Sequence, residues 1–231
     1  MMTDRPIIFS APMINALLDG RKTQTRRILK DAPAPTANMF CDRVGPTGFQ
    51  WTGEFGLPRL PFTPPYAICD RLWVKETWAV GACADSLKPR ELHPGTWLRD
   101  NGGLWYRADN AEPATPISPR GRTRTGRFMP RWASRVTLIV ENVRVQRLLD
   151  ISEDDAIAEG FADGPIGDPM PERDIGDGWT VSSPGGWASA AGHFQILWAK
   201  LHPDWDGYSS PWVVALTFRL IKANIDSPEA K

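Results

Sequence analysis

Residues 20–27, Gly20-Arg21-Lys22-Thr23-Gln24-Thr25-Arg26-Arg27, place four cations and two hydroxyls in eight consecutive positions. A threonine hydroxyl becomes a nucleophile when a neighbour takes its proton. A lysine can do so only if its pKa falls well below about 10.4. Taken alone, Lys-x-x-Thr is a chance pattern in a basic, polar stretch leaving a helix. A second basic run holds Arg120, Arg122, Arg124, Arg127, Arg131 and Arg135. Such a run could edge the phosphates of an RNA or a nucleotide. Its plainer reading is a solvated loop, with the later arginines pairing with acids on the sheet. The three cysteines (Cys41, Cys69, Cys83) and three histidines (His93, His193, His202) are widely scattered. They form neither a disulfide framework nor a Cys/His zinc site, and the cysteines are expected as small buried residues. A carboxylate site for Mg²⁺ has no spacing signature to look for.

The elements that must hold these groups read as follows. Residues 6–9 suit a short strand. Ser10 can cap a helix with Pro12 in its first turn, Met13, Leu17 and Leu18 on one face, and Gly20 as its stop. The chain from Lys22 to Ile28 leaves that helix extended. Residues 69–78 alternate as a strand, with Trp73 and Trp78 on opposite faces. Residues 135–149 form the clearest strand region, and a phase shift near Asn142 suggests a bulge or bend. Ser152 and Asp155 make a capping box for a short helix ending at Gly160. Residues 188–202 form an amphipathic helix whose Phe194, Leu197, Trp198 and Leu201 face a core. Residues 212–221 close the order as a strand. Pro- and Gly-rich insertions at about 31–66, 81–131 and 163–187 are expected to be irregular, apart from a short strand near residues 104–107.

The chain has 231 residues, 42% of them hydrophobic, and a formal net charge of zero. That is enough to build one domain over 1–231. Neutrality argues against non-specific binding of long nucleic acid. No apolar run is long enough to span a membrane, and the N-terminus lacks the pattern of a signal peptide, so a cytoplasmic protein is expected. Eleven tryptophans are expected mostly in core or cleft positions. The oligomeric state is not legible.

The segment Asp19–Arg27 resembles the signature of ASCH domains, β-barrel relatives of the PUA RNA-binding fold. The resemblance continues through residues 70–78, Met129-Pro130-Arg131-Trp132-Ala133-Ser134-Arg135, residues 151–156 and Pro211-Trp212-Val213. Together these look like the long, phage-associated branch of the family. The implied fold is α+β, a small curved sheet or barrel carrying about three helices and long loop insertions.

One activity in the family is hydrolysis of N4-acetylcytidine to cytidine and acetate. Carried over by position, the resemblance implies Lys22 as base, Thr25 as nucleophile, and Glu159 as acid or leaving-group stabiliser. It implies neither metal nor organic cofactor. The partner would be a small nucleoside or modified pyrimidine, and the long loops could admit acyl groups larger than acetyl. Arg21, Arg26, Trp73 and Glu76 are the expected substrate-binding residues. Other members of the family suggest two alternatives, a non-catalytic RNA- or nucleotide-binding module and a metal-dependent ribonuclease. The triad carries a geometric condition. Residues three apart on a regular strand point to opposite faces. Lys22 and Thr25 can therefore meet Glu159 in one cleft only if the backbone is irregular over 21–24.

Overall fold

The computed structural model describes residues 2–33, 39–46, 48–53, 60–93, 103–109, 119–161, 173–174, 180–181 and 189–230. The strands are β1 (Asp4–Ile8), β2 (Gln24–Ile28), β3 (Met39–Val44), β4 (Gly48–Gly53), β5 (Leu60–Phe62), β6 (Arg71–Lys75), β7 (Trp78–Val80), β8 (Leu104–Tyr106), β9 (Thr137–Arg147), β10 (Arg173–Asp174), β11 (Thr180–Val181) and β12 (Trp212–Ile221). The α-helices are α1 (Ala11–Leu18), α2 (Glu153–Ala158) and α3 (Ala190–Leu201). The fold is α+β with mixed sheets, and among the described residues no sheet closes into a barrel. No described helix is long and apolar enough to cross a membrane.

Contacts divide the chain into two compact units. One comprises Met1–Gly20, Tyr66–Val143 and Thr217–Lys231; the other comprises Arg21–Pro65 and Arg144–Leu216. Strands β9 and β12 contribute residues to both.

In the first unit the sheet order is β1-β6-β9-β12, with β1 parallel to β6 and β6 antiparallel to β9. Alternation places Ile7 and Phe9 inside and Ile8 outside. Helix α1 buries Ile14 and Leu17, so its inward face is centred there rather than on Met13 and Leu18. Ser10 takes the capping position with an extended backbone, although its side chain makes no cap bond. Gly20 then adopts φ +77°, where a side chain would be strained.

The expected strand over 69–78 is two strands, broken at Glu76 and Thr77. There the Glu76 N–H donates to the Met129 sulfur (3.4 Å), and Gly126 packs directly on the Glu76 backbone. Strand β7 then pairs with β8, the short strand anticipated near residue 104. Trp78, Val80, Ala84, Leu92, Met129 and Ala133 form a core beneath them. In β9, burial runs Leu138, Val140, then Val143, which is the expected change of phase.

In the second unit the order is β9-β12-β2. The 31–66 stretch is not wholly irregular, because β3, β4 and β5 form an antiparallel sheet within it. Its turn glycines masked an inner aromatic face. There Trp51 stacks on Phe62 (4.5 Å between centroids) and meets Trp212 edge-on (4.8 Å). Of the 163–187 loop, the described part is the short antiparallel pair β10 and β11; the rest lies outside the described residues. Phe194 and Trp198 of α3 pack on Leu148, Ile151, Ala156 and Val213. Leu197 is half-buried and Leu201 is 51% exposed, so the inward stripe of α3 is narrower than its apolar sequence.

Candidate active site

The second unit assembles its polar cluster around the C-terminal end of α2. Ser152 caps the helix by accepting from the Asp155 N–H (3.1 Å). The capping box stays half-made, because the Asp155 carboxylate is engaged elsewhere. Gly160, at φ +102°, ends the helix just after Glu159.

Residues 21–23 run irregularly alongside this end, and β2 begins only at Gln24. They satisfy carbonyls that the helix leaves without internal donors. The Arg21 guanidinium donates to Gly160 O (3.1 Å), Lys22 Nζ to Glu159 O (2.8 Å) and the Thr23 N–H to Ala158 O (2.8 Å). The backbone is thus irregular over most of the expected 21–24 range.

Asp155 and Glu159 lie four residues apart, so both carboxylates project from one side of α2. Glu159 Oε2 accepts from Lys22 Nζ at 2.6 Å, and Oε1 from Arg26 at 3.0 Å. Asp155 accepts from Arg26 (2.6 Å), Arg144 (2.7 Å) and Gln24 (3.1 Å). Arg26 also donates to the Gln24 side-chain oxygen (2.9 Å), and its guanidinium lies 5.7 Å from the centre of the Phe194 ring. The result is a buried bridge tying β2 to α2.

Strand alternation puts Gln24 and Arg26 on one face of β2 and Thr25 and Arg27 on the other. Arg27 donates to Thr25 Oγ1 at 2.7 Å and to the Arg26 carbonyl at 2.8 Å. These contacts bring Lys22 to Glu159 and Thr25 to Arg27. Lys22, Thr25 and Glu159 are only 2%, 1% and 6% exposed.

The electrostatics follow from this burial. Desolvation pushes the Lys22 pKa below its ordinary value; Glu159 opposes the shift, while the charges of Arg27 and then Arg26 reinforce it. Burial works against ionisation of Asp155. Hydrogen bonds from Arg144 and Gln24, with the charge of Arg26, nevertheless hold its carboxyl below the usual range. His202 stacks against Trp198 (4.3 Å) and is lowered by burial and then by Arg27. Arg27 therefore acts electrostatically on both Lys22 and His202.

Of the expected substrate-binding residues, Arg21 is exposed. Arg26 is fully enclosed and engaged by Gln24, Asp155 and Glu159, a structural cation in this arrangement. Trp73 and Glu76 belong to the first unit. Trp73 is half-buried with Lys75 Nζ 5.2 Å from its ring centre. Glu76 is buried and held by Arg135 through two bonds (2.9 and 3.1 Å); Arg135 also grips Asp109 and lies 4.0 Å over the Tyr106 ring. Burial raises the Glu76 carboxyl above its ordinary pKa despite Arg135.

The basic run divides. Arg124 bonds the Ala84 and Leu87 carbonyls, Arg131 pairs with Asp4 and Asp226, and Arg135 pairs with Glu76 and Asp109. Arg120, Arg122 and Arg127 point outward. None of the three cysteines is in a disulfide; Cys69 and Cys83 are exposed rather than buried, and burial beside Asp42 pushes Cys41 up to about 12. Among the described residues no group of three or more His, Cys, Asp or Glu is placed to hold a metal ion.

Sequence reading missed Asp155 as an ion-pair partner, together with Gln24, Arg144 and the Arg27–Thr25 bond. The four-residue spacing of Asp155 and Glu159 was the available signal. Nothing in the sequence marked Arg144 as its third partner. Comparison with known proteins adds no identification: no family model, no curated protein and no solved structure matches the chain.

Proposed function

We propose that the protein is an ASCH-type, PUA-like amidohydrolase of the cytoplasm that removes acyl groups from N4-acylated cytosine nucleosides. The observation that carries this reading is the buried Lys22–Glu159 contact at 2.6 Å, in the same unit as the Arg27-bound Thr25 hydroxyl. Desolvation lowers the Lys22 pKa and so favours the neutral amine, the form that can take a proton.

In the proposed reaction Thr25 Oγ1 attacks the acyl carbonyl carbon and its proton passes to Lys22. The C–N bond breaks as the cytosine amine takes a proton from Glu159; water then returns a proton to Glu159 and adds its oxygen to the acyl carbon, and Thr25 Oγ1 leaves with the proton held by Lys22, releasing the carboxylic acid. Arg27 is a positioning residue, whose donated N–H stabilises negative charge growing on Thr25 Oγ1. A second reading, a nucleoside- or RNA-binding module without turnover, draws on the near-complete burial of all three side chains, as expected of a structural ion cluster.

The test is the ultraviolet spectrum of N4-acetylcytidine mixed with purified protein, alongside Lys22→Ala, Thr25→Ala and Glu159→Ala. Conversion by wild type alone supports the assignment. No spectral change across several acyl groups would sink it. Survival of activity in Thr25→Ala would move the attack to an activated water. Cleavage of RNA that a chelator abolishes, without conversion of N4-acetylcytidine, would favour the metal-dependent ribonuclease alternative.

A further inference from the structure

We propose that the first unit carries a separate binding surface for single-stranded nucleic acid, with Phe128 as its stacking platform. The surface is a groove of about 500 Å³ lined by Lys88, Pro89, Arg90, Phe128 and Pro130. Phe128 is 61% exposed, and the cations Lys88 and Arg90 line the same groove.

The ring stands on a fixed base. It ends a tight 3-10 turn, Gly126–Phe128, stitched by Phe128 N–H to Thr125 O (3.1 Å) and Met129 N–H to Gly126 O (3.0 Å). A side chain at Gly126 would press on the Glu76 backbone at 3.0 Å, so the turn is seated tightly. The facing turn, Pro89–Glu91, is closed by Glu91 accepting from the Lys88 N–H (2.9 Å). Arg124 bonds the carbonyls of Ala84 and Leu87 just upstream.

Cations outnumber acids here. Lys88, Arg90, Arg120, Arg122 and Arg127 are exposed, and none forms an ion pair among the described residues. The nearby acids are engaged: Glu91 caps its turn, and Asp85 accepts from the Arg122 N–H while lying 3.8 Å from Arg124. Lys75 donates to the Arg127 carbonyl, and its pKa is lowered by burial and then by the Arg127 charge. A chain of zero net charge thus sets Lys88 and Arg90 in the groove beside the exposed ring, with Arg127 adjacent to it in the chain.

Cations bracketing an aromatic ring match a strand whose phosphates meet the charges while a base stacks on the ring. A duplex keeps its bases paired and stacked and cannot offer one to Phe128, so the fit is to a single strand. This surface does not depend on the amidohydrolase assignment.

Fluorescence anisotropy of the full chain with labelled oligouridylate, oligothymidylate and a duplex tests the proposal. Heparin serves as a polyanion without bases. Wild type should bind a single strand better than the duplex; the RNA and DNA arms show which strand is preferred. Phe128→Ala should weaken single-strand binding by roughly fivefold to a hundredfold and leave heparin binding unchanged. Lys88→Ala/Arg90→Ala should reduce the salt slope by about 1.4, at roughly 0.7 per phosphate contact. These side chains are exposed, so circular dichroism and thermal melting should match wild type. Absence of single-strand binding at low salt, equal binding of duplex, or unchanged affinity in Phe128→Ala would each overturn the proposal.

Discussion

Replacing Glu159 by Gln should destabilise the protein much more than replacing Lys22 by Met. Hydrogen-bonded contacts in the second unit join three cations, Lys22, Arg26 and Arg144, to two carboxylates, Asp155 and Glu159. Glu159→Gln leaves three cations around one carboxylate, and the side chains of Lys22 and Arg26 have no solvent exposure. Removing one partner of a buried pair costs about 3–5 kcal/mol. Lys22→Met leaves two cations facing two carboxylates, and Glu159 keeps Arg26 at 3.0 Å. Its main cost is the lost bond to the Glu159 carbonyl, about 1–2 kcal/mol, offset by the ammonium no longer being desolvated. The two variants should differ by about 2 kcal/mol, roughly thirtyfold in the folding equilibrium. Urea unfolding followed by tryptophan fluorescence reads this directly, since Trp51, Trp198 and Trp212 lie in the same unit. Equal costs, or a larger cost for Lys22→Met, would refute the charge-balance reasoning.

Further tests address titration, catalysis and packing. Lys22 has a folded pKa below its unfolded value, so the unfolded chain binds more protons between the two. The stability of wild type relative to Lys22→Met should therefore rise with pH towards about 10.4, in urea titrations of both proteins across that range. A falling difference would show that Lys22 is not desolvated. Arg27→Met removes a donor to Thr25 and a positive charge near Lys22. Turnover of N4-acetylcytidine should drop about a hundredfold, and the pH optimum should move upward as the Lys22 pKa recovers. Arg27→Lys should restore part of the rate, and an unmoved pH profile would deny Arg27 this electrostatic role. In the first unit, the Asn224 side-chain amide donates to the carbonyls of Arg131 (2.9 Å), Trp132 (3.2 Å) and Ser134 (2.6 Å). Asn224→Ala should cost about 1–3 kcal/mol. Asn224→Asp should cost more, because a carboxylate would face three oxygens; thermal melting ranks the two.

Much of the framework was legible because it depends on local chemistry. Proline in the first turn of α1 and glycine at its end, the capping Ser152 with Gly160, and the β-rich run over 135–149, within which β9 spans Thr137–Arg147, are all short-range signals. The three strands between residues 39 and 62 were hidden because turn residues outnumber the few inward aromatics that reveal period 2. The exposed Leu201 shows the converse, an apolar residue on a helical stripe that tertiary packing leaves uncovered.

The segment from Gly20 to Arg27 shows where the two kinds of information divide. Its sequence determined the supply of groups: a base candidate at Lys22, a hydroxyl at Thr25, flanking arginines, and a glycine where the helix must stop. It could not determine their partners, because hydrogen bonds and ion pairs depend on which distant residues arrive within about 3 Å. Only the tertiary structure brought α2 alongside, gave Lys22 and Arg26 to Glu159, and gave the Thr25 hydroxyl to Arg27. It also decided the burial that lowers the Lys22 pKa, since desolvation belongs to the surroundings of a charge rather than to the residue that carries it.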